Sequence, residues 1–333
     1  MAGIYNRKLK LIYTLEILKK YSDEENPVNA VDIVEKLAKM GIAAERKSVY
    51  DDISALEDYG YDIIKTSTPK TGWFLGDREF EVPEIYLLCD AVRSAKFISA
   101  KKTRELISKL NSMLSVHQVK RRERSVFYSL ADKREIEELY YNIDSISYAI
   151  EHKKQIKLTN AKRVLNKERQ IITEKKSMTI NPYALTWQED HYYLIGNYAK
   201  YDNLIHLRLD RIGDVEILDT PARHFSEVSD YNDSFDVSDY TNKLFGMYSG
   251  TEAEIELCCS KSITEQVLDR FSEAIFIKKV TEDTFNFSVN AVISEALVTW
   301  IINYGSDLKV VKPDALKEMV LARANQVLEN YKN

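Results

Sequence analysis

The spacing of apolar residues changes along the chain. It is helical in the first part, strand-like in the middle and a mixture of both at the end. Three helical runs precede residue 60, and the third places Val49, Ile53 and Leu56 at i, i+4 and i+7. Gly60 ends that run, and two short strand-like segments follow around a Pro/Gly turn at 68–72. The pattern predicts three helices followed by a two-stranded wing.

The second helical run has a recognisable start. Asn29 and Asp32 have the spacing of a capping box, in which each side chain accepts a hydrogen bond from the other residue's backbone N–H. Gly41 marks the end of the run. The inward stripe predicted for this helix consists of Val31, Val34, Leu37 and Met40.

The outer face of the third helix is polar. Ser48 is predicted near the helix start, where its hydroxyl and the unpaired N–H groups can meet a phosphate. Lys65 and Lys70 belong to the wing. This arrangement is typical of a recognition helix that enters the major groove of DNA, and the alternative is an ordinary solvated helix face. The other candidate DNA-binding residues, on the outer helix face, are Arg46, Lys47, Tyr50, Asp51 and Ser54.

The rest of the chain predicts a mixed α+β protein of several domains. The last part has a strand, helix, strand, strand, helix, strand order, which is typical of a ferredoxin-like unit. The predicted domains are a winged helix (1–80), a helical connector (81–150), a small β-barrel or curled sheet (151–226), an acidic linker (227–250) and a C-terminal module (251–333).

Composition and charge narrow the possible functions. The 333 residues exceed what one ordinary core holds, and 44% hydrophobic with 30% charged residues is typical of a globular chain. No signal peptide or membrane span is visible, and three cysteines without metal spacing fit a reducing cytoplasm. The net charge of −5 weighs against indiscriminate DNA binding but allows a local basic site.

Motifs of catalysis and cofactor binding are absent from the sequence. No glycine-rich phosphate loop follows a strand, and the five histidines have no metal-ligand spacing. We therefore expect no enzyme activity, no metal and no cofactor.

A polar cluster on the predicted middle strands is the second candidate site. It is built from three segments: 182–185 (Pro-Tyr-Ala-Leu), 191–196 (His-Tyr-Tyr-Leu-Ile-Gly) and 206–212 (His-Leu-Arg-Leu-Asp-Arg-Ile). Period-two alternation places imidazole, phenol and guanidinium groups on one side and aliphatic groups on the other. Arginine forks with tyrosine or histidine donors suit the oxygens of a phosphate.

These segments resemble bacterial transcriptional regulators that combine a winged helix, a WYL domain and a C-terminal extension of the WCX type. The name-giving Trp-Tyr-Leu is present as Tyr-Tyr-Leu at 192–194, and 208–212 is similar to the family's Arg-x-Asp-Arg-Ile strand. Segment 300–313 is similar to the family's C-terminal module. The resemblance implies an Sm-like or SH3-like β-barrel with a basic pocket. The candidate ligand-binding residues are Tyr183, Tyr193, His206, Arg208, Arg211 and, less centrally, His191.

The predicted function is that of a ligand-responsive transcriptional regulator that binds double-stranded operator DNA as a homodimer. Its effector would be a nucleotide or a single-stranded nucleic acid held in the WYL pocket. Two other interpretations remain open: a nucleic-acid-processing accessory or enzyme that docks through the winged helix, and a protein-interaction module with a purely structural barrel. Within the pocket, the alternative is that Arg208 and Arg211 pair with Asp210 and neighbouring acids while Tyr193 belongs to the core.

Overall fold

The computed structural model describes residues 2–95, 97–123, 139–271 and 275–332, with side chains from Leu9 onward and without that of Glu123. The part of the predicted connector at 124–138 lies outside the described residues. The chain divides into two compact units, Met1–Ile136 and Glu137–Asn333.

The first unit begins with the three predicted helices and their wing. The wing strands pair antiparallel, and the backbone of Val28 adds a short bridge to Trp73. Three further helices complete the described part of this unit. Its elements are α1 (Ala2–Tyr21), α2 (Ala30–Lys39), α3 (Arg46–Tyr59), β1 (Ile63–Thr66), β2 (Gly72–Leu75), α4 (Val82–Ser94), α5 (Ala100–Asn111) and α6 (Val116–Glu123).

Local signals in the sequence set the ends of α2 and α3. The Asn29 side chain accepts hydrogen bonds from the backbone N–H groups of Val31 and Asp32, and the Asp32 carboxylate accepts one from the Asn29 N–H. The predicted capping box is therefore confirmed. Gly60 closes α3 with φ of 112°, a left-handed conformation that glycine adopts without strain.

Helix α3 buries the predicted stripe, but α2 buries only part of the stripe predicted for it. Val31 and Met40 are each 42% exposed, and the buried residues of α2 are Ala30, Ile33 and Leu37. The prediction was confirmed for Leu37, which is buried, and for Val34, which packs against the core. It was wrong for Val31 and Met40 because steps of three residues turn by about 60° less than a full rotation. Three such steps carry Met40 to the side of the helix opposite Val31, whereas alternating steps of three and four keep residues on one face.

A buried ion pair joins α3 to α1. Lys10 Nζ lies 2.7 Å from Asp52 Oδ2 and donates a second hydrogen bond, of 2.8 Å, to the carbonyl oxygen of Ser48. The Thr14 hydroxyl donates to the same carboxylate at 3.1 Å. The two charged side chains are only 11% and 10% exposed. This cluster holds α3 against α1 on the buried side of α3, opposite the polar outer face of that helix.

The second unit begins with a helix packed on a five-stranded antiparallel sheet. Helix α7 buries Ile146 and Ala149, and the Asn142 amide donates to the carbonyl oxygen of Ile212 at 3.0 Å. The strand order is β6-β5-β4-β3-β7, with a 3-10 turn at Leu209–Arg211 between β6 and β7. This order is compatible with the small barrel predicted here. The elements are α7 (Leu139–Glu151), β3 (Lys154–Leu165), β4 (Ile171–Gln188), β5 (His191–Tyr198), β6 (Leu204–Arg208) and β7 (Ile212–Pro221).

Residues 225–249, here called the strap, cross one face of this sheet. The strap contains a 3-10 turn at Phe225–Glu227 and the short helix α8 (Val237–Asn242). Most of this segment was expected to be an acidic linker, yet its apolar side chains pack on the sheet while most of its acids stay exposed. The strap residues in this contact are Phe235, Val237, Tyr240, Leu244 and Met247, and they meet Ala184, Tyr193, Ile195 and Val292.

The C-terminal part has the predicted strand and helix order. Its four strands form an antiparallel sheet in the order β11-β8-β10-β9, and Phe287 is fully buried in its core. The Leu316 side chain of the final helix packs into the same core. The elements are β8 (Thr251–Ser260), α9 (Thr264–Phe271), β9 (Phe276–Val280), β10 (Thr284–Ile293), α10 (Glu295–Asn303), β11 (Leu308–Lys312) and α11 (Asp314–Asn330).

Candidate functional site

Four of the six predicted ligand-binding residues share one face of β5 and β6. Tyr193 lies opposite Arg208 in the register of the two strands, and Ile195 lies opposite His206. His191 is two positions before Tyr193 and its ring centroid lies 6.2 Å from that of Tyr193. The alternation of a pleated strand therefore brings these side chains to the same side.

Arg208 is already paired within the protein. Its Nε and Nη2 donate to the two carboxylate oxygens of Asp210 at 2.9 and 2.8 Å. The Arg208 side chain is 21% exposed and that of Asp210 only 6%. The hydrogen bonds that Arg208 donates to Asp210 raise the pKa of the Arg208 guanidinium. The alternative considered for Arg208 is thus the one observed, and its charge is offset by the neighbouring carboxylate.

His206 has both ring nitrogens occupied beneath the strap. Nδ1 lies 2.8 Å from the carbonyl oxygen of Met247, and Nε2 lies 2.9 Å from the Tyr240 hydroxyl. Burial lowers the pKa of His206 to about 4, against a smaller opposing effect of the bond to Met247. At neutral pH the uncharged imidazole donates from Nδ1 to the carbonyl and accepts at Nε2 from the phenol. In this arrangement His206 offers neither a positive charge nor a free nitrogen to an anion, which corrects its expected role.

The two predicted tyrosines are largely buried. Tyr183 lies at a bulge between β4 and β5, and its ring centroid is 6.3 Å from that of Phe225 and 6.4 Å from that of Phe235. Its hydroxyl has no hydrogen-bond partner among the described residues, and burial raises its pKa to about 12. Tyr193 is 8% exposed, and burial raises its pKa as well. Both phenols are protonated at neutral pH and can act as donors.

Arg211 and His191 are the more accessible members of the set. Arg211 is exposed in the 3-10 turn and forms no ion pair within the described parts of the chain. Its charge nevertheless acts on the Tyr193 phenol, as does that of Arg208. His191 is partly exposed, with Nδ1 2.6 Å from the Glu189 carbonyl oxygen. We call His191, Tyr193, Arg208 and Arg211 the outer group.

The strap supplies site-forming residues that the sequence analysis missed. Tyr231, Phe235 and Tyr240 form a chain of ring contacts with centroid distances of 5.2 to 6.2 Å. A cavity of about 190 Å³ beside them is lined by Asp230 and Glu252 among others. Its acidic lining does not suit an anion. The sequence does contain a signal for these strap residues, because three aromatic residues occur within ten positions of an otherwise acidic segment.

The outer face of α3 forms the second candidate site, in the first unit. Arg46, Lys47 and Tyr50 are exposed, as are Asp51 and Ser54. The Tyr50 ring packs edge-on against Trp73 of the wing, with centroids 5.0 Å apart. A cleft of about 250 Å³ lies between α3 and the wing, lined by Arg46, Tyr50, Lys65 and Trp73 among others.

Two predicted DNA-binding side chains have partners of their own. The Ser48 hydroxyl donates to the Glu45 carbonyl oxygen at 2.8 Å and accepts from the Glu45 N–H at 3.3 Å, so it stabilises the helix start. Lys70 Nζ lies 3.2 Å from the Asp32 carboxylate. Both are therefore less available to a phosphate than Arg46, Lys47 and Lys65.

Neither a metal centre nor a spanning helix is present in the described residues. No group of three or more histidine, cysteine, aspartate or glutamate side chains there could hold a metal ion. Within the same ranges, no helix combines the length and apolar character needed to cross a membrane. Cys89, Cys258 and Cys259 are free thiols.

Comparison with known proteins assigns both domains of the second unit. Residues 141–217 match the WYL domain, and residues 251–328 match the WCX domain. The WYL match includes most of α7 and so begins before the boundary predicted at 151. No curated protein matches the chain.

Among solved structures, the chain is similar to proteasome accessory factor B/C (PafBC) of Arthrobacter aurescens. The two are 14% identical, with a TM-score of 0.29. The alignment covers 98% of this chain and 49% of the other, so this chain spans about half the length of that protein.

The WYL match falls on the strand-rich domain that has the Arg208–Asp210 pair on its sheet. The WCX match falls on the four-stranded α+β module that follows it. The chain thus contains two domains of known families, a WYL domain followed by a WCX domain.

Proposed function

We propose that this protein binds operator DNA through its winged helix as a homodimer, and that its WYL domain senses a nucleotide or single-stranded nucleic acid. One observation carries the DNA-binding part. Helix α3 buries Val49, Ile53 and Leu56 and presents a polar outer face beside a wing that carries Lys65. A helix held in this way can place its first turn in a major groove while the wing meets the phosphates.

The positions of the candidate residues favour some of them over others for this role. Arg46 and Lys47 stand in the first turn of α3, where unpaired N–H groups add positive potential. Tyr50 is steadied by Trp73 and can reach a base edge or a sugar. Ser48 orders the helix start, and Lys70 would have to leave Asp32 before it met a phosphate.

The R46A/K47A variant tests the DNA-binding proposal. We expect its affinity for a duplex from the protein's own upstream region to fall at least tenfold. The slope of log affinity against log salt should become shallower by about 0.9 for each phosphate that the variant no longer neutralises. Fluorescence anisotropy at several salt concentrations measures both quantities.

The matched control is K20A/K39A, which removes two exposed lysines from α1 and α2. It should bind the duplex like the parent protein. Equal affinity and equal salt slope for R46A/K47A and the control would show that α3 is not the reading helix.

The effector would bind at the outer group. The Arg211 guanidinium is open to solvent, and Tyr193 and His191 lie on the same side of the sheet as Arg208. Arg208 pairs with Asp210 and serves to hold the turn that carries Arg211. To regulate, the effector must bind one arrangement of the dimer more tightly than another, because equal affinity shifts no equilibrium.

Arg211 is a better test of this site than Arg208. Removing Arg208 would take away the two hydrogen bonds that the 6%-exposed Asp210 carboxylate accepts from it and so cost folding energy. We expect R211A to fold normally and to bind a 5′-phosphorylated single-stranded oligonucleotide about tenfold more weakly, as for the removal of one charged hydrogen bond. Isothermal titration calorimetry measures this affinity.

The control is K157A, which removes an exposed lysine from β3 of the same sheet. Both variants should keep the parent's affinity for duplex DNA. If R211A binds the oligonucleotide as tightly as K157A does, the outer group is not the effector site.

A further inference from the structure

Strands β3 and β4 extend beyond their sheet as a two-stranded ribbon. They pair with each other continuously from Ile156–Ile180 to Leu165–Ile171. Strand β7 pairs with β3 no further than Asn160, and β5 pairs with β4 only from Ile180 onward. The end of the hairpin, residues 159–177, therefore has almost no neighbouring strand. We call this segment the arm.

The arm is basic in a chain that is acidic overall. It carries six basic and two acidic side chains, whereas the chain has a net charge of −5. Within the described residues, none of these six bases forms an ion pair, although Lys176 Nζ lies 5.3 Å from the centre of the Tyr198 ring. The six bases are Lys162, Arg163, Lys167, Arg169, Lys175 and Lys176.

The far end of the arm is apolar and exposed. Leu165 and Ile171 face each other across the ribbon and are 70% and 74% exposed. The next pair on the same face is Arg163 with Thr173, and the one after it is Ala161 with Lys175. One face of the ribbon thus presents two aliphatic side chains at its tip and cationic side chains behind them.

We propose that the arm is a second duplex-DNA-binding element, separate from the winged helix and from the outer group. A two-stranded ribbon fits the width of a major groove, and ribbons in both grooves are known modes of DNA binding. Cationic side chains along the stem would meet phosphates on either side of the groove. Leucine and isoleucine at the tip suit contact with thymine methyl groups or insertion between base steps.

Charge complementarity favours a polyanion over a second copy of this chain. Each copy of the chain is acidic overall, but its carboxylates do not form a regular row of negative charges as the phosphates of DNA do. DNA carries one negative charge about every 1.7 Å of helix axis, which can engage several bases of the arm at once.

The R163E/K175E variant of the full chain tests this proposal. Both side chains are exposed, so the sheet should stay folded. We expect its affinity for a random-sequence duplex to fall at least tenfold, with a shallower salt slope. The control K279E/K309E makes the same charge change on exposed positions of β9 and β11, and it should bind like the parent. Equal binding by R163E/K175E and this control overturns the proposal.

The same arm variant combined with R46A/K47A separates the two DNA-binding proposals. The arm substitutions should weaken duplex binding whether or not α3 is altered. If only the arm variant weakens binding, the winged-helix proposal fails and the arm remains. If only R46A/K47A does so, the arm proposal fails.

The tip variant L165S/I171S identifies the partner. Duplex affinity should fall while sedimentation velocity shows an unchanged oligomeric state. Loss of a dimer without loss of duplex affinity would make the arm an interface between copies. Loss of binding to a single-stranded oligonucleotide alone would make it part of the effector site. Either result overturns the proposal.

Discussion

Replacing Asp52 with alanine should destabilise the α1–α3 core by about 3–5 kcal/mol, because the substitution leaves the Lys10 ammonium buried without its counter-ion. Lys10 is 11% exposed at its side chain and has no second carboxylate within ion-pair distance among the described residues. Its remaining bond to the Ser48 carbonyl oxygen offsets only part of the desolvation cost. The Thr14 hydroxyl also loses its acceptor.

Hydrogen exchange of the α1 and α3 amides, measured at increasing urea concentrations, gives this loss of unfolding free energy in the full chain. The neighbouring D51A variant is the matched control, since Asp51 is exposed and should change stability by less than about 0.5 kcal/mol. A double variant, K10M/D52L, should recover most of the stability because no charge is left buried. If D52A is as stable as D51A, the ion pair does not hold α3 in place.

Acidification should weaken the second unit through His206. Its pKa is about 4 in the folded protein against 6.5 for an ordinary histidine. Between those two values the unfolded chain binds a proton that the folded chain does not, so stability falls as pH falls. The slope is about 1.4 kcal/mol per pH unit and the total on the order of 3 kcal/mol, whereas above pH 6.5 the contribution is constant.

The H206Q variant isolates this contribution from the carboxylates that titrate over the same range. Its free energy of unfolding should fall less steeply between pH 6.5 and 4 than that of the parent. The control H152Q replaces an exposed histidine of the same unit. Equal slopes for all three proteins would mean that the imidazole is not held neutral beneath the strap. Denaturant titrations at several pH values give the comparison.

Local signals in the sequence anticipated much of the fold. The capping box at Asn29 and the glycine at Gly60 mark helix ends through hydrogen bonds and dihedral angles that span only a few residues. The strand and helix order of residues 252–311 followed from changes of hydrophobic period in the same way. The burial of Val49, Ile53 and Leu56 rests on one regular helix and needed no tertiary information.

Local patterns could not predict which residues far along the chain contact the candidate site. Tyr240 and Met247 lie 34 and 41 positions from His206 along the chain, and nothing in the local pattern brings them to its ring nitrogens. Asp210 is only two positions from Arg208, and its pairing was accordingly foreseen as an alternative. Sequence patterns therefore identified the residues on one sheet face but not which of them the protein itself neutralises.

The arm was missed for a different reason. The barrel predicted at 151–226 rests on segments such as 156–159 and 178–180, where one face is buried and the alternation is clear. Between them both faces of the ribbon meet solvent, so no period-two pattern distinguishes the extended chain from a polar loop.

The way residues 225–249 are packed bears on how this protein can be divided. Phe245 lies in the core of the C-terminal module, while Tyr240 covers His206 on the WYL sheet. A fragment cut after residue 226 would strip the sheet of its cover, and one starting at residue 251 would lack a core aromatic ring. Limited proteolysis should accordingly spare this stretch despite its acidic, loop-like composition, and the two domains should be purified together rather than apart.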